Sequence, residues 1–140
     1  MHDTTETSYV LRLLPGADLY ISIKNFVSTH SIEAGWIVSC AGSLSAYSIR
    51  FANQKEAASG KGYFEIVSLS GTVSLNGSHV HMSISDSTGN TIGGHLMDGC
   101  KIYTTAEIVL VASDKYLFTR EKEEGSSWKE LKITKKQTPH

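Results

Sequence analysis

The chain has few cysteines and prolines, no long hydrophobic run and almost no net charge. Of 140 residues, two are cysteines and two are prolines, and the formal net charge is −1. Such a balance argues against a general binder of the nucleic-acid phosphate backbone. The longest apolar stretches, such as residues 108–112, are far too short to span a membrane.

The two cysteines, Cys40 and Cys100, form no CxxC or zinc-ribbon spacing. This pattern favours two reduced, buried thiols in a cytoplasmic protein, with a disulfide or a catalytic thiol as the alternatives. Residues 1–6 are polar and contain neither the basic nor the apolar region of a signal peptide. We therefore expect a cytoplasmic location and no membrane partner.

The remaining composition, 40% hydrophobic and 19% charged, is that of a folded protein with one core. A strand pattern over residues 8–14 ends at Pro15-Gly16, and Asp18 is placed to cap an amphipathic helix over residues 19–29. A polar connection is expected at residues 53–62 and a hairpin loop at 121–127. Strand patterns bounded mainly by glycines and polar turns follow the helix at residues 36–41, 44–52, 63–75, 79–86, 91–97, 102–112, 116–120 and 128–134.

These elements predict an α+β fold in which a strongly bent, mainly antiparallel, barrel-like sheet of about eight strands packs with one main helix. We expect a single domain over residues 8–134, with flexible tails at 1–7 and 135–140. Several strands are long, and oligomerisation is one way to cover their edges.

The chemically pointed feature is a set of three histidines. Residues 78–86 alternate, so that His79 and His81 lie on one face of a strand and Val80, Met82 and Ile84 on the other. If residues 87–89 form a three-residue turn with Gly89 in the left-handed conformation, His81 pairs directly with His95. A two- or four-residue turn, or a bulge at Gly93-Gly94, would turn His95 away.

Three neutral imidazoles that leave one position open suit Zn²⁺, with Ni²⁺, Co²⁺ or Fe²⁺ as less favoured occupants. The histidine set predicts a metal site at His79, His81 and His95. The alternative is structural: His79 and His81 are solvent-facing polar residues, and His95 packs beneath a glycine turn.

Three central segments carry a resemblance to a known family: GSLS at residues 42–45, GYFEIVSLSG at 62–71 and GGHL at 93–96. With Arg12, Pro15-Gly16, Asp18 and TTAE at 104–107, they resemble the PPC (plants and prokaryotes conserved) domain over nearly all of residues 9–134. In fold and H-x-H…H arrangement, the chain is more distantly similar to acetolactate decarboxylase, a zinc enzyme with three histidine ligands.

The resemblance implies a compact α+β homotrimer. The H-x-H and G-G-H-L motifs look like the prokaryotic type, which is associated with a metal site. Plant members join this domain to AT-hooks and family members are often labelled DNA-binding, but this chain has no Arg-Gly-Arg-Pro hook. Three functions therefore stay open: a metal site in a cleft for a small anionic molecule, a DNA-binding or regulatory module, and a trimeric scaffold without chemistry.

A few charged residues are candidates for a role beside the metal. Glu65, in a strongly apolar strand, is a candidate acid or base, or else an ion-pair partner of Arg12 or Arg50. Arg12, Glu107 and Arg120 are further candidates for the cleft or for contacts that orient a ligand histidine. The basic cluster, which acidic residues interrupt, is best read as a solvated face; its members are Lys122, Lys129, Lys132, Lys135 and Lys136.

Overall fold

A computed structural model describes residues 5–137 and contains one helix and eight strands within that range. The helix is α1 (Leu19–Thr29). The strands are β1 (Glu6–Leu13), β2 (Gly35–Arg50), β3 (Ala58–Val73), β4 (His79–Ser85), β5 (Thr91–Leu96), β6 (Lys101–Ser113), β7 (Tyr116–Lys122) and β8 (Lys129–Lys135).

The main sheet is antiparallel and curls back on itself. Its strand order is β1-β6-β2-β3-β4-β5, and a further pairing joins β5 to the end of β2. Strands β7 and β8 form a separate two-stranded sheet, which together with the connection between them is called here the β7–β8 ribbon. The predicted fold class, a strongly bent antiparallel sheet with one main helix, is confirmed. Among residues 5–137, no helix has the length and apolar character needed to cross a membrane.

The helix occupies the predicted residues because its start and its apolar face are both specified locally. The Asp18 carboxylate accepts a hydrogen bond from the Ile21 amide at 3.0 Å, which satisfies one free N–H of the first turn. Leu19, Ile23 and Val27 recur at the helical period and are buried. They pack against inward-facing side chains of the sheet: Leu44, Ile49, Ile66, Leu69, Val73, Val80, Met82, Ile84, Leu96, Ile102, Ile108 and Leu110.

Strand β2 runs through the glycine where the sequence predicts a break. A Cβ at Gly42 would stand 2.2 Å from the Thr105 carbonyl oxygen, so only glycine allows β6 to approach this closely. Bulges follow at residues 42–46 and bend the strand without ending it.

Other predicted boundaries also move. Strand β3 begins at Ala58, inside the predicted polar connection, because residues 58–61 pair with 46–49 of β2. Glu6 and Thr7 pair with β6, and Lys135 pairs with Tyr116. These ladder bonds place parts of both predicted tails in the sheets. Residues 1–4 and 138–140 lie outside the described range.

Candidate metal centre

The turn between β4 and β5 determines where the histidines lie. The Asp86 carboxylate accepts hydrogen bonds from the Thr88 amide (2.9 Å), the Thr88 hydroxyl (2.7 Å) and the Asn90 amide (3.0 Å). The Thr88 hydroxyl, with the backbone amides, lowers the pKa of Asp86. Gly89 has φ +86°, the left-handed conformation that a three-residue turn requires. The predicted turn is confirmed.

The resulting register brings His81 opposite His95, as the sequence predicts. Ile84 pairs with Ile92, and the ladder runs unbroken past Gly93 and Gly94, without a bulge between these strands. A Cβ at Gly94 would lie 2.5 Å from the Arg50 carbonyl oxygen. Glycine here lets β5 close against β2.

The three histidine side chains converge on one side of the hairpin, while Val80, Met82 and Ile84 are buried on the other. The Nε2 atoms of His79 and His81 are 3.0 Å apart. Each histidine offers a ring nitrogen, and these nitrogens all lie within 4.8 Å of one another. His79 and His81 are exposed to solvent and His95 is half-buried, so the cluster is open on one side.

The cluster matches the donor set of a zinc site. Nitrogens bound to a tetrahedral zinc ion at about 2.0 to 2.1 Å stand roughly 3.3 Å apart. Small side-chain rotations would bring the observed nitrogens to that spacing. Burial, followed by the charge of Arg50, lowers the pKa of His95 to about 4. Burial, followed by the neighbouring His81, also lowers the pKa of His79. Both rings are therefore neutral near pH 7, the form in which imidazole binds metals.

A cavity of about 680 Å³ opens in front of these histidines and is called here the histidine cavity. It lies between the β4–β5 hairpin and the β7–β8 ribbon. The lining side chains beside the histidines include Arg50, Arg120, Trp128, Lys129 and Glu130. Arg120 therefore lines the cleft, which is one of the two positions that the sequence analysis considers for it.

The other lining residues have no signal in the local sequence. Arg50 reaches the cavity because β2 pairs with β5, where Arg50 lies opposite His95. Trp128 and Glu130 come from the ribbon, far along the chain from the histidines. Only a prediction of strand pairing could have found them.

Glu65 was expected to act beside the histidines. In the structure it lies away from the histidines of its own chain. It is exposed and pairs with Ser43 and Ser85, and Ser85 is four residues, about 13 Å, along β4 from His81. Among residues 5–137, no ion pair joins Glu65 to Arg12 or Arg50. Its carboxylate is tolerated in an apolar strand because it points to solvent.

Arg12 and Glu107 also lie outside the lining of the histidine cavity. They face each other across β1 and β6, and the Arg12 Nε donates to the Thr105 hydroxyl at 3.1 Å. The alternating pattern of β6 explains this position: Ala106 and Ile108 turn inward, so Glu107 turns outward.

The thiols offer no nucleophile. Both cysteines are free. Burial raises the pKa of Cys40 and of Cys100 to about 11, so each stays protonated at neutral pH. The Cys100 thiol donates to the Ser48 carbonyl at 3.3 Å. The prediction of two buried thiols holds for Cys100, whereas Cys40 is only half-buried.

Comparison with known proteins assigns the family. The model of the Plants and Prokaryotes Conserved (PCC) domain, the family abbreviated PPC above, matches residues 2–114. The chain belongs to this family. A hypothetical protein from Salmonella enterica is 38% identical, with a TM-score of 0.92 over 97% of this chain and 99% of that one. The metal-containing protein from Archaeoglobus fulgidus is 25% identical, with a TM-score of 0.75 over 92% and 97% of the two chains.

Among curated proteins, the chain is 43% identical over 127 residues to the bifunctional protein GlmU of Synechococcus sp. (strain JA-3-3Ab). The match covers 91% of this PCC-family chain but spans only 20% of that protein's length. Two solved structures, from Bacteroides thetaiotaomicron and Ralstonia eutropha, are described as candidate DNA-binding proteins. They are 18% and 17% identical to this chain, so that likeness shows the fold alone.

Proposed function

We propose that this PCC-domain protein holds one divalent metal ion, preferably Zn²⁺, through His79, His81 and His95 and presents it to a small molecule in the histidine cavity. The observation that carries the proposal is the convergence of three ring nitrogens within 4.8 Å on one side of a hairpin. The all-nitrogen donor set and the open side suit zinc with a free position. The metal-containing Archaeoglobus relative supports the same conclusion.

The chain's own residues have distinct parts in this proposal. The histidines hold the ion, which when bound would polarise a carbonyl group or activate water. Arg50 and Trp128 form one wall of the cavity, and Arg120 lies near His79. Among the described lining residues, Glu130 is the only carboxylate, so acid–base chemistry in this cavity would fall to Glu130 and not to Glu65.

Elemental analysis of untagged protein, purified without chelators, tests the metal site. We expect about one ion per chain in the wild type and a large loss in His81→Ala. His30→Ala is the matched control because His30 stacks on Phe26, away from the cluster. A metal content well below one ion per chain that His81→Ala leaves unchanged would contradict the proposal and favour a structural role for the histidines.

We also propose that the chain assembles as a homotrimer. Support comes from apolar side chains on the outer face of the main sheet, where Val10, Val38 and Val67 are 78%, 56% and 58% exposed. Burial of these residues between subunits would remove them from water. Sedimentation equilibrium should give three times the chain mass of 15.3 kDa. A monomer mass at micromolar concentration would contradict this assembly.

DNA binding remains the alternative, and the described charges do not favour it. Lys132 lies 3.5 Å from Glu121, and Lys136 lies 3.1 Å from Glu33. The positive charges of both lysines are therefore partly neutralised. A binding assay with duplex DNA in low salt tests this alternative. Binding that weakens when Lys132, Lys135 and Lys136 are changed to Gln would support DNA binding.

A further inference from the structure

We propose that the small molecule in the histidine cavity carries an anionic oxygen group, a carboxylate or a phosphate, and that Arg50 and Arg120 bind this group. The inference deepens the proposed function and rests on it, because it assigns the ligand class of the same cavity. Four observations carry it: the contacts of Arg120, the contacts of Arg50, the balance of charge and the strand register.

Arg120 has a donor that the protein does not use. Its Nη2 donates to the Thr72 hydroxyl at 2.8 Å, and its backbone amide donates to the Asn76 side chain. These contacts hold the side chain at the cavity. Its Nε is buried and has no hydrogen-bond partner. Because Nε is closed to solvent, a ligand in the cavity would meet the rest of the guanidinium group, which among the described residues donates only to Thr72.

Arg50 is held in place by stacking and not by a carboxylate. Its guanidinium carbon lies 4.6 Å from the centre of the Trp128 ring, and its Nη1 donates to the Gln54 carbonyl at 3.3 Å. Stacking on an aromatic face leaves the edge of a guanidinium free for a planar anion. The cations of the ion pairs found within residues 5–137 are all lysines, so neither arginine is neutralised by an acidic side chain in contact with it.

The charges around the cavity favour an anion. Arg50, Arg120 and Lys129 line it, against the single carboxylate of Glu130. Glu130 Oε1 accepts from the Ser126 hydroxyl at 3.2 Å. A divalent ion at the histidines would add to the positive potential. A neutral or cationic ligand would leave the net positive charge of these side chains unbalanced.

Strand register places the arginines on two sides of the histidine cluster. Arg50 pairs with His95 across β2 and β5. Arg120 bonds Thr72, which pairs with His79 across β3 and β4. An oxyanion that contacted both guanidinium groups would lie in the same cavity as the three histidines. This arrangement fits a ligand with one anionic group and a second oxygen that reaches the metal.

Anion binding to protein loaded with Co²⁺ tests the inference. The Co²⁺ absorption bands first establish that the histidines hold the metal. Malonate and inorganic phosphate are then titrated by calorimetry, with malonamide as the neutral control for malonate. We expect at least one anion to bind and malonamide not to bind. Arg120→Gln should weaken anion binding about tenfold or more because a charge-assisted hydrogen bond is lost, with Co²⁺ affinity unchanged.

Arg50→Gln provides a second variant, and Arg12→Gln is the matched control because Arg12 lies outside the cavity. Stronger binding of malonate assigns a carboxylate ligand, and stronger binding of phosphate assigns a phosphate. Loading of Co²⁺ without binding of either anion overturns the inference while the proposed function stands. Unchanged anion affinity in both cavity variants also overturns it, since the metal alone would then hold the anion. If Co²⁺ does not load, the proposed function fails, and anion binding by the metal-free protein decides the inference separately by the same variants.

Discussion

The histidine cavity lies between two hairpins that are built very differently. The β4–β5 hairpin belongs to the main sheet and buries Val80, Met82 and Ile84 in the core. The strands of the β7–β8 ribbon pair only with each other. Among the described residues of the ribbon, Phe118 is the one buried hydrophobic side chain. One hairpin carries the proposed metal ligands, and the other carries Arg120, Trp128 and Glu130.

The difference separates two tasks. Core packing on one face of β4 holds the histidines in a constant geometry, as a metal site requires. The ribbon is joined to the rest of the molecule by a few contacts, such as the Phe118 amide with the Glu33 carbonyl at 3.0 Å and Arg120 with Thr72. We infer that the β7–β8 ribbon can change in sequence or move with little effect on the positions of the three histidines.

The largest expected effect comes from truncating the buried face of the β4–β5 hairpin, with an exposed apolar residue of the ribbon for comparison. Met82→Ala should cost about 2 to 5 kcal/mol in the free energy of unfolding, because Met82 is 2% exposed and its loss leaves a cavity. Ile133→Ala in the ribbon should change it by less than about 0.5 kcal/mol, since Ile133 is 59% exposed. Urea denaturation at one fixed protein concentration measures both. Equal losses would remove the distinction between the hairpins.

Hydrogen exchange compares the hairpins without mutation. Amides of β7 and β8 should exchange at least about tenfold faster than those of β4 and β5, because the ribbon can open without disrupting the core. Mass spectrometry of peptides from the two hairpins provides the rates. Equal protection would indicate that they unfold as one unit.

Matched glycines at the two turns sharpen the comparison. Gly89 and Gly125 have φ values of +86° and +84°, and a Cβ at either would meet nothing within 4 Å. Alanine at each position therefore introduces only backbone strain, about 1 kcal/mol. Thermal unfolding should show this loss for Gly89→Ala and a smaller one for Gly125→Ala. A larger loss of stability for Gly125→Ala than for Gly89→Ala would indicate that the ribbon unfolds together with the core.

The smallest effect should follow from the ring beneath Arg50. Trp128→Ala should weaken malonate binding to the Co²⁺-loaded protein about two- to fivefold, through loss of the cation–π contact. Trp128→Phe should recover part of it, and neither variant should alter the Co²⁺ spectrum. An altered spectrum would show that the ribbon does position the metal ligands.

Local sequence patterns were sufficient wherever neighbouring residues control the structure. Asp18 and the helical period define α1, and Asp86 with Gly89 defines the turn that pairs His81 with His95. Glu65 shows the opposite case. Its apolar neighbours suggested a buried carboxylate, but period-two alternation in β3 turns it to solvent.

The sequence by itself determined the helix and, given a three-residue turn at 87–89, the hairpin register and the three-histidine cluster. Each depends on contacts between residues close along the chain. Only the tertiary structure decided what faces the histidines. The closure of β5 on β2 brings Arg50 beside His95, and the ribbon supplies Arg120 and Trp128. Such pairings join distant segments, and their energy comes from packing of the whole sheet, which no local pattern records.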